Sequence, residues 1–307
     1  MFVIAEAITS IVLLFEGRVE TGTDADSTGK YHVSRSAVVN FISLGAKGPN
    51  MANHRTRGNE VGSVRKTLRI LELLKDFEGA RVTQLANELD WPKSTVHSHL
   101  ETLENAGYIV KEDETYQLGF RFLDLGEHVK YRNEVYGMVE PRIEALANST
   151  GERVQFVISE HGDCVYARIA EGEHAVSTGS RLGRRRHMLH ATAAGKSILA
   201  FTDREEVKRI IEEKGLPELA ENTITDEDAL FEELAEVRER GYAFNYEEHI
   251  EGLRAAAAPV QEPDGSVVGA ISVSGPAHRM HGEQFTKELP ENILGVCNEI
   301  ELDIVYQ

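Results

Sequence analysis

An α+β protein in two folded parts is what the sequence predicts, on three observations. The chain has 307 residues, more than one domain of ordinary size. Apolar residues recur at helical spacing from Val61 onward, then give way to a short helix, a break and another helix. Beyond residue 150, apolar runs flank the turn signals "HGD" and "PDG", which mark antiparallel strand pairs. With 41% hydrophobic and 27% charged residues, the bulk is globular.

Residues 1–60 stand outside this pattern. "FVIAEAITSIVLLF" is too short to cross a bilayer, contains Glu6, and lacks the basic start of a secretory signal, so no membrane partner is expected. "TGTDADSTGK" and "SLGAKGPN" are rich in turn formers, and Met51 opens a stretch that reads as a natural start. The expectation is a poorly ordered extension over 1–60, or translation beginning at Met51.

The folded elements follow in order. Val64, Leu68, Leu71, Leu74 and Phe77 form the apolar stripe of a first helix, which stops at "EGA". "TQLANEL" is a second, short helix that would bury Leu85, Ala86 and Leu89, with Thr83 as its cap. "DWP" breaks it, and Pro92 suits the first turn of a third helix, where its missing N–H costs nothing. Projected at helical pitch, Val96, Leu100 and Leu103 share one stripe, whereas Ser94, Thr95, His97, Ser98, Glu101 and Thr102 spread over the opposite arc. "NAG" ends this helix, and "YIVKEDETYQLG" reads as a hairpin. Helix, helix, turn, helix and hairpin describe a winged helix-turn-helix over 61–120.

In such a module the outer arc of the third helix enters the major groove of a double-stranded DNA operator. Short polar side chains let it sit deep. Lys93, Ser94 and Thr95 suit phosphates near the helix N-terminus, His97 and Ser98 suit base edges, and Thr83 and Thr102 flank them. A solvated helix in another three-helix module is the alternative reading of the same arc.

Charge runs against DNA binding. The net charge is −18, from 33 basic and 51 acidic residues, and residues 61–125 are themselves net acidic by three. Arginines outnumber lysines and the acidic residues are spread along the chain, a pattern that fits either a high-salt cytoplasm, with self-repulsion screened, or an ordinary acidic cytosolic protein. In high salt the counterion-release contribution is already small, so shape and base contacts carry more of the affinity. Two cysteines far apart, Cys164 and Cys297, argue against a disulfide framework and for a reducing, cytoplasmic setting.

From Val61 onward the chain resembles the IclR family of transcriptional regulators, on "VRKTLRILELL", "WPKSTVHSHLETLENAGYI", "YQLGFRFLDLG", "HATAAGKSILA", "GYAFNYEEHIEGLRAAAAPV" and "GAISVSGP". The ordered series is specific where a lone helix-turn-helix is not. The resemblance implies a linker helix over 121–140, then a GAF-like effector-binding domain over 141–307 with an antiparallel sheet flanked by helices, assembled as a homodimer or homotetramer. Pro141 is expected at the junction. The resemblance also implies that Ala193 and Ala194 open a helix whose backbone amides receive a small anionic or polar effector, an organic acid or sugar-derived metabolite. Asn245, Ala255, Ser272 and Ser274 are carried over as the remaining pocket positions; the two serines also read as satisfying backbone groups in the sheet. In relatives that bind small keto acids the position of Asn245 is an aspartate and that of Ala255 a cysteine, so effector identity does not transfer. Ser98 and His99 stand where arginine and leucine are usual in relatives, so the operator does not transfer either.

Three further motifs are weighed. "ATAAGKS" imitates the end of a phosphate-binding loop, but the glycine required five positions before Gly195 is His190, which excludes nucleotide hydrolysis by that motif. His161, Cys164, His174, His187 and His190 suggest a metal- or redox-responsive sensor as an alternative function; structural or solvated roles are favoured, and no metal or cofactor is expected. The arginine run 184–186 reads as a solvated loop, or as a site for an anion or another subunit. No nucleophile–base set or paired carboxylates can be picked out, so an enzyme is not expected.

Overall fold

The computed structural model describes residues 60–178 and 181–306, and the expectations for the N-terminal extension and Met51 lie outside them. The first part is α1 (Gly62–Asp76), α2 (Val82–Leu89), α3 (Lys93–Asn105) and the hairpin β1 (Ile109–Glu112) and β2 (Thr115–Leu118). Ile70, Leu73, Leu74, Leu85, Val96, Leu100, Ile109 and Tyr116 close a small core beneath the helices and hairpin. Each large apolar side chain taken out of water there contributes about 1.5–3 kcal/mol. Asp113 makes the β1–β2 turn with a φ of 55°, and the bridge Ala80↔Tyr116 ties the hairpin to the chain between α1 and α2.

Two local expectations are corrected here. The α1 stripe is corrected in its first half: Val64 and Leu68 are exposed, whereas Leu74 is buried, Leu71 and Phe77 pack against the core, and Ile70 and Leu73, outside the expected stripe, are buried with them. Thr83 does not cap α2, because the helix starts one residue earlier with Arg81 at the cap in extended conformation.

Helix α4 (Arg121–Lys130) follows and buries no residue. After a four-residue break comes α5 (Val135–Thr150). Pro141 lies inside α5 instead of at a junction, and Val135, Tyr136 and Val139 ahead of it already belong to the core of the second part. Arg142 donates to the Met138 carbonyl at 2.9 Å beside the interrupted ladder. Gly151, with a φ of 71°, ends the helix in left-handed conformation.

The second part is built on six antiparallel strands in the order β5-β4-β3-β8-β7-β6: β3 (Arg153–Glu160), β4 (Asp163–Glu171), β5 (Arg185–Arg186), β6 (Ala243–Tyr246), β7 (Leu253–Gln261) and β8 (Val267–Pro276). "HGD" and "PDG" supply the β3–β4 and β7–β8 turns, as predicted. One sheet face packs on α5 and on α9 (Leu289–Tyr306) through Val139, Ile143, Phe156, Ile293 and Ile300. The other packs on α6 (Ala193–Ala200), α7 (Arg204–Lys214) and α8 (Glu227–Arg240) through Ile198, Leu199, Val207, Leu230 and Leu234. The run Ala255–Ala258 in β7 has low strand propensity, but its small side chains alternate between the two cores and let helices approach both faces.

Candidate functional sites

On α3 the predicted geometry is present. Val96 and Leu100 are fully buried and Leu103 nearly so, while Lys93, Ser94, His97, Ser98 and Thr102 are exposed and Thr95 is half-buried. The hydroxyls of Ser98 and Thr102 donate to the Ser94 and Ser98 carbonyls at 3.1 and 2.8 Å, which leaves their oxygens free as acceptors. His97 stands 3.9 Å from Glu101 on the same outer face. Pro92 occupies the cap position, and Thr95 and Val96 donate to its carbonyl. Thr83 is exposed on α2, in the first turn.

In the second part, Ala193, Ala194, Asn245, Ala255, Ser272 and Ser274 all line one cavity of about 500 Å³ counted to its open mouth. They come from α6, β6, β7 and β8, and the sheet register explains their meeting. Asn245 faces Ala255, Ala255 faces Ser274, and Ser272 faces Gln155 across neighbouring strands, so one sheet face supplies the cavity wall. Gln155 Nε2 donates to Ser274 Oγ at 3.0 Å. At the other wall α6 begins. Its cap residue Thr192 accepts from the Gly195 amide at 3.1 Å, whereas the amides of Ala193 and Ala194 have no hydrogen-bond partner among the described residues.

"AAGKS" is accounted for by packing. A Cβ on Gly195 would lie 2.1 Å from the Leu189 carbonyl oxygen, so only glycine lets α6 sit so close to the preceding turn. Lys196 is buried and pairs with Glu248 at 2.8 Å and Glu233 at 3.3 Å. Burial outweighs the lysine and holds the Glu248 carboxyl above the usual carboxylate range. Ser197 Oγ donates to the Ala257 carbonyl at 2.9 Å.

Comparison with known proteins agrees with this arrangement. The helix-turn-helix model of the IclR family matches residues 63–113, and the model of the C-terminal domain of the bacterial transcriptional regulator IclR matches 128–302. The chain belongs to the IclR family of transcriptional regulators. It is 33% identical over 257 residues to a probable regulator, ArcR, of Halobacterium salinarum, covering 83% of this chain and 97% of that protein. It is 33% identical over 229 residues to the regulator KdgR of Escherichia coli, covering 74% and 87% of the two chains. Among solved structures, the IclR of Thermotoga maritima superposes with a TM-score of 0.69 at 28% identity, over 80% of this chain and 99% of that one. As an IclR-family regulator it combines a DNA-binding domain with an effector-binding domain that modulates operator binding.

Within this IclR-family fold the histidines and the cysteine serve separate ends. Cys164 is buried beside Thr192, 3.8 Å away, and burial pushes its thiol up to about 12. His187 pairs with Asp163, His190 contacts the Pro217 carbonyl at 3.0 Å, and His161 makes the β3–β4 turn with a φ of 55°. His174 lies against Gly151. Among the described residues no group of three or more metal-ligating side chains converges.

The cavity also takes in Gln155, Tyr166, Thr178 and His249, which sequence reasoning missed because they come from distant strands and loops without a motif. The arginine run is not a solvated loop throughout. Arg185 and Arg186 form β5, paired with β4, and Arg186 is half-buried.

Proposed function

We propose that effector binding in this cavity sets the geometry with which paired α3 helices meet an operator. The carrying observation is that six positions from four separate elements converge on one cavity whose wall includes two amides without a partner among the described residues. Ala193 and Ala194 receive an anionic or polar group, and Ser272 and Ser274 meet its hydroxyl or oxo groups. Asn245 acts as a strut: its Nδ2 donates to the Ala191 carbonyl at 2.5 Å and its Oδ1 accepts from the Glu248 amide at 3.3 Å. Ala255 leaves room beside it.

On the DNA side, Lys93, Ser94 and Thr95 take phosphate, His97 and Ser98 face bases, and Thr83 and Thr102 stand at the flanks. The wing turn carries Glu112, Asp113 and Glu114, so phosphate affinity rests on α3 and not on the hairpin. The active form is a homodimer or homotetramer. Phe120, Leu123, Leu125 and Val129 are exposed at or on α4, 89% in the case of Phe120, and a second copy covers them. The second part is read as GAF-like and the setting as a cytoplasm of high salt, supported by the spread of acidic residues.

The test is a genome-wide occupancy map in the cell's own salt, for wild type and Ser94→Glu. A carboxylate at the α3 N-terminus repels phosphate without touching the core, so specific occupancy should vanish while the thermal melt stays unchanged. Occupancy equal to wild type would falsify the docking of α3.

A further inference from the structure

Arg168 is buried on β4 at a position that regular alternation would have turned toward the cavity. Tyr166, two residues earlier, lines the cavity, and residues two apart on a strand share a face. Between them the ladder slips. Val157 faces Tyr166 but Phe156 faces Arg168, so Ala167 is an extra residue on β4. Such a bulge re-aims the side chains that follow it. Arg168 therefore lies on the side of Phe156, against α5, where Glu140 stands 3.6 Å from its Nε.

There the guanidinium spends its donors on backbone. Nη2 donates to the Lys130 carbonyl at 3.2 Å and Nη1 to the Ala167 carbonyl at 2.7 Å, while Nε is buried without a hydrogen-bond partner. Lys130 is the last residue of α4, and the final carbonyls of a helix have no partner within it. The break after α4 is held as well: Lys130 reaches Glu140 at 3.7 Å, and Arg132 reaches Glu160 at the end of β3 at 3.5 Å. An apolar side chain opposite Phe156 would pack as well, and buried ion pairs seldom add stability over such a replacement. Stability alone leaves this arginine unexplained.

The other end of α4 is tied in the same way. Arg121, its first residue, donates to the carbonyl of Ala106, the C-terminal cap of α3, at 2.6 Å. Its guanidinium also lies over the Tyr108 ring, 4.7 Å from the centroid, and that ring packs on Phe122 of α4. Helix α4 is thus a rod of 10 residues, about 15 Å long, with one arginine joint on α3 and one on the strand that walls the cavity.

We propose that Arg168 is a positioning residue for regulation. The bulge at Ala167 and the Arg168 guanidinium convert a shift of Tyr166 at the cavity wall into a shift of α4, which Arg121 passes to α3. This assignment rests on the reading of the cavity as the effector site.

Coupling between two sites is a ratio of affinities, so the experiment is a cycle of variants. It uses the full chain and a labelled DNA fragment recovered by occupancy mapping, with affinity read by fluorescence anisotropy. Ala255→Leu fills the cavity in place of an effector and should change the affinity of the otherwise wild-type chain about fivefold or more, the lower edge of allosteric coupling. In Arg168→Met the same cavity substitution should change it less than about twofold, and Arg168→Lys, which keeps a charged donor, should restore part of the response. A merely structural arginine would lower the melting temperature and the affinity together and leave the response to Ala255→Leu intact, a result that overturns the assignment. Should Arg168→Met melt too low to be assayed, Arg121→Met, at an exposed position, breaks the same rod at its other end and must abolish the response; a full response there overturns the assignment too. A response that survives in both arginine variants removes the rod and leaves the effector cavity standing. No response to Ala255→Leu in the wild-type chain removes the cavity reading itself, and the role of Arg168 with it.

Discussion

His249 shows how a single side chain ties the cavity to acidity. Its ordinary value of 6.5 is lowered to about 4, first by burial and then by Arg186. The unfolded chain therefore takes up a proton below pH 6.5 that the folded chain refuses until about 4, and stability falls as pH drops through that window. The difference is worth up to roughly 3 kcal/mol. Burial also lowers His190, with the same sign, whereas Glu248 and Glu301 are raised and work the other way. Comparison of wild type with His249→Phe isolates one contribution: urea melts should show the variant losing less stability than wild type between pH 6.5 and 4.5, and parallel curves would contradict the burial of a neutral imidazole. None of this was legible in the sequence. His249 sits among charged residues in "NYEEHIEG", and only the approach of β5 and the β6–β7 loop places it on the wall.

Elements were easier to read than their contacts. The inward stripe of α3 and the hairpins were legible because turn chemistry and periodicity act within a few residues, whereas the helix beginning at Ala193 came from the family resemblance. The α1 stripe held at Leu71, Leu74 and Phe77 but not at Val64 and Leu68, because leucines and isoleucine lie on two sides of that helix and the choice between them depends on α2 and α3. Pro141 was misplaced because a proline in a packed helix is held by its neighbours, here the apolar core around Val139 and Ile143. Helix α4 yields a prediction at this level. It buries nothing of its own, yet carries Leu123, Leu125 and Val129. Leu123→Glu should shift the chain toward a smaller species in analytical ultracentrifugation and weaken operator binding by tenfold or more, roughly the loss of one bivalent contact, with both cores intact. A sedimentation profile equal to wild type would remove α4 from the proposed interface between copies.

For the molecule as a whole, the question is how a net charge of −18 meets a polyanion. A regulator that neutralises phosphates with many basic side chains loses about a thousandfold or more in affinity between about 50 and 200 mM salt. With an acidic wing turn and Lys93 as the one lysine on α3, this chain releases few counterions, so its affinity should change less than about tenfold over the same range. Fluorescence anisotropy on a fragment recovered by occupancy mapping measures it, and a slope as steep as that of a basic repressor would point to contacts outside α3.

The two hydrogen bonds of Asn245 limit how this sensor can drift to new signals. An aspartate there has no donor for the Ala191 carbonyl, so Asn245→Asp would set two acceptors against each other beneath the first turn of α6. Change at that position thus requires the turn before α6 to move in the same step.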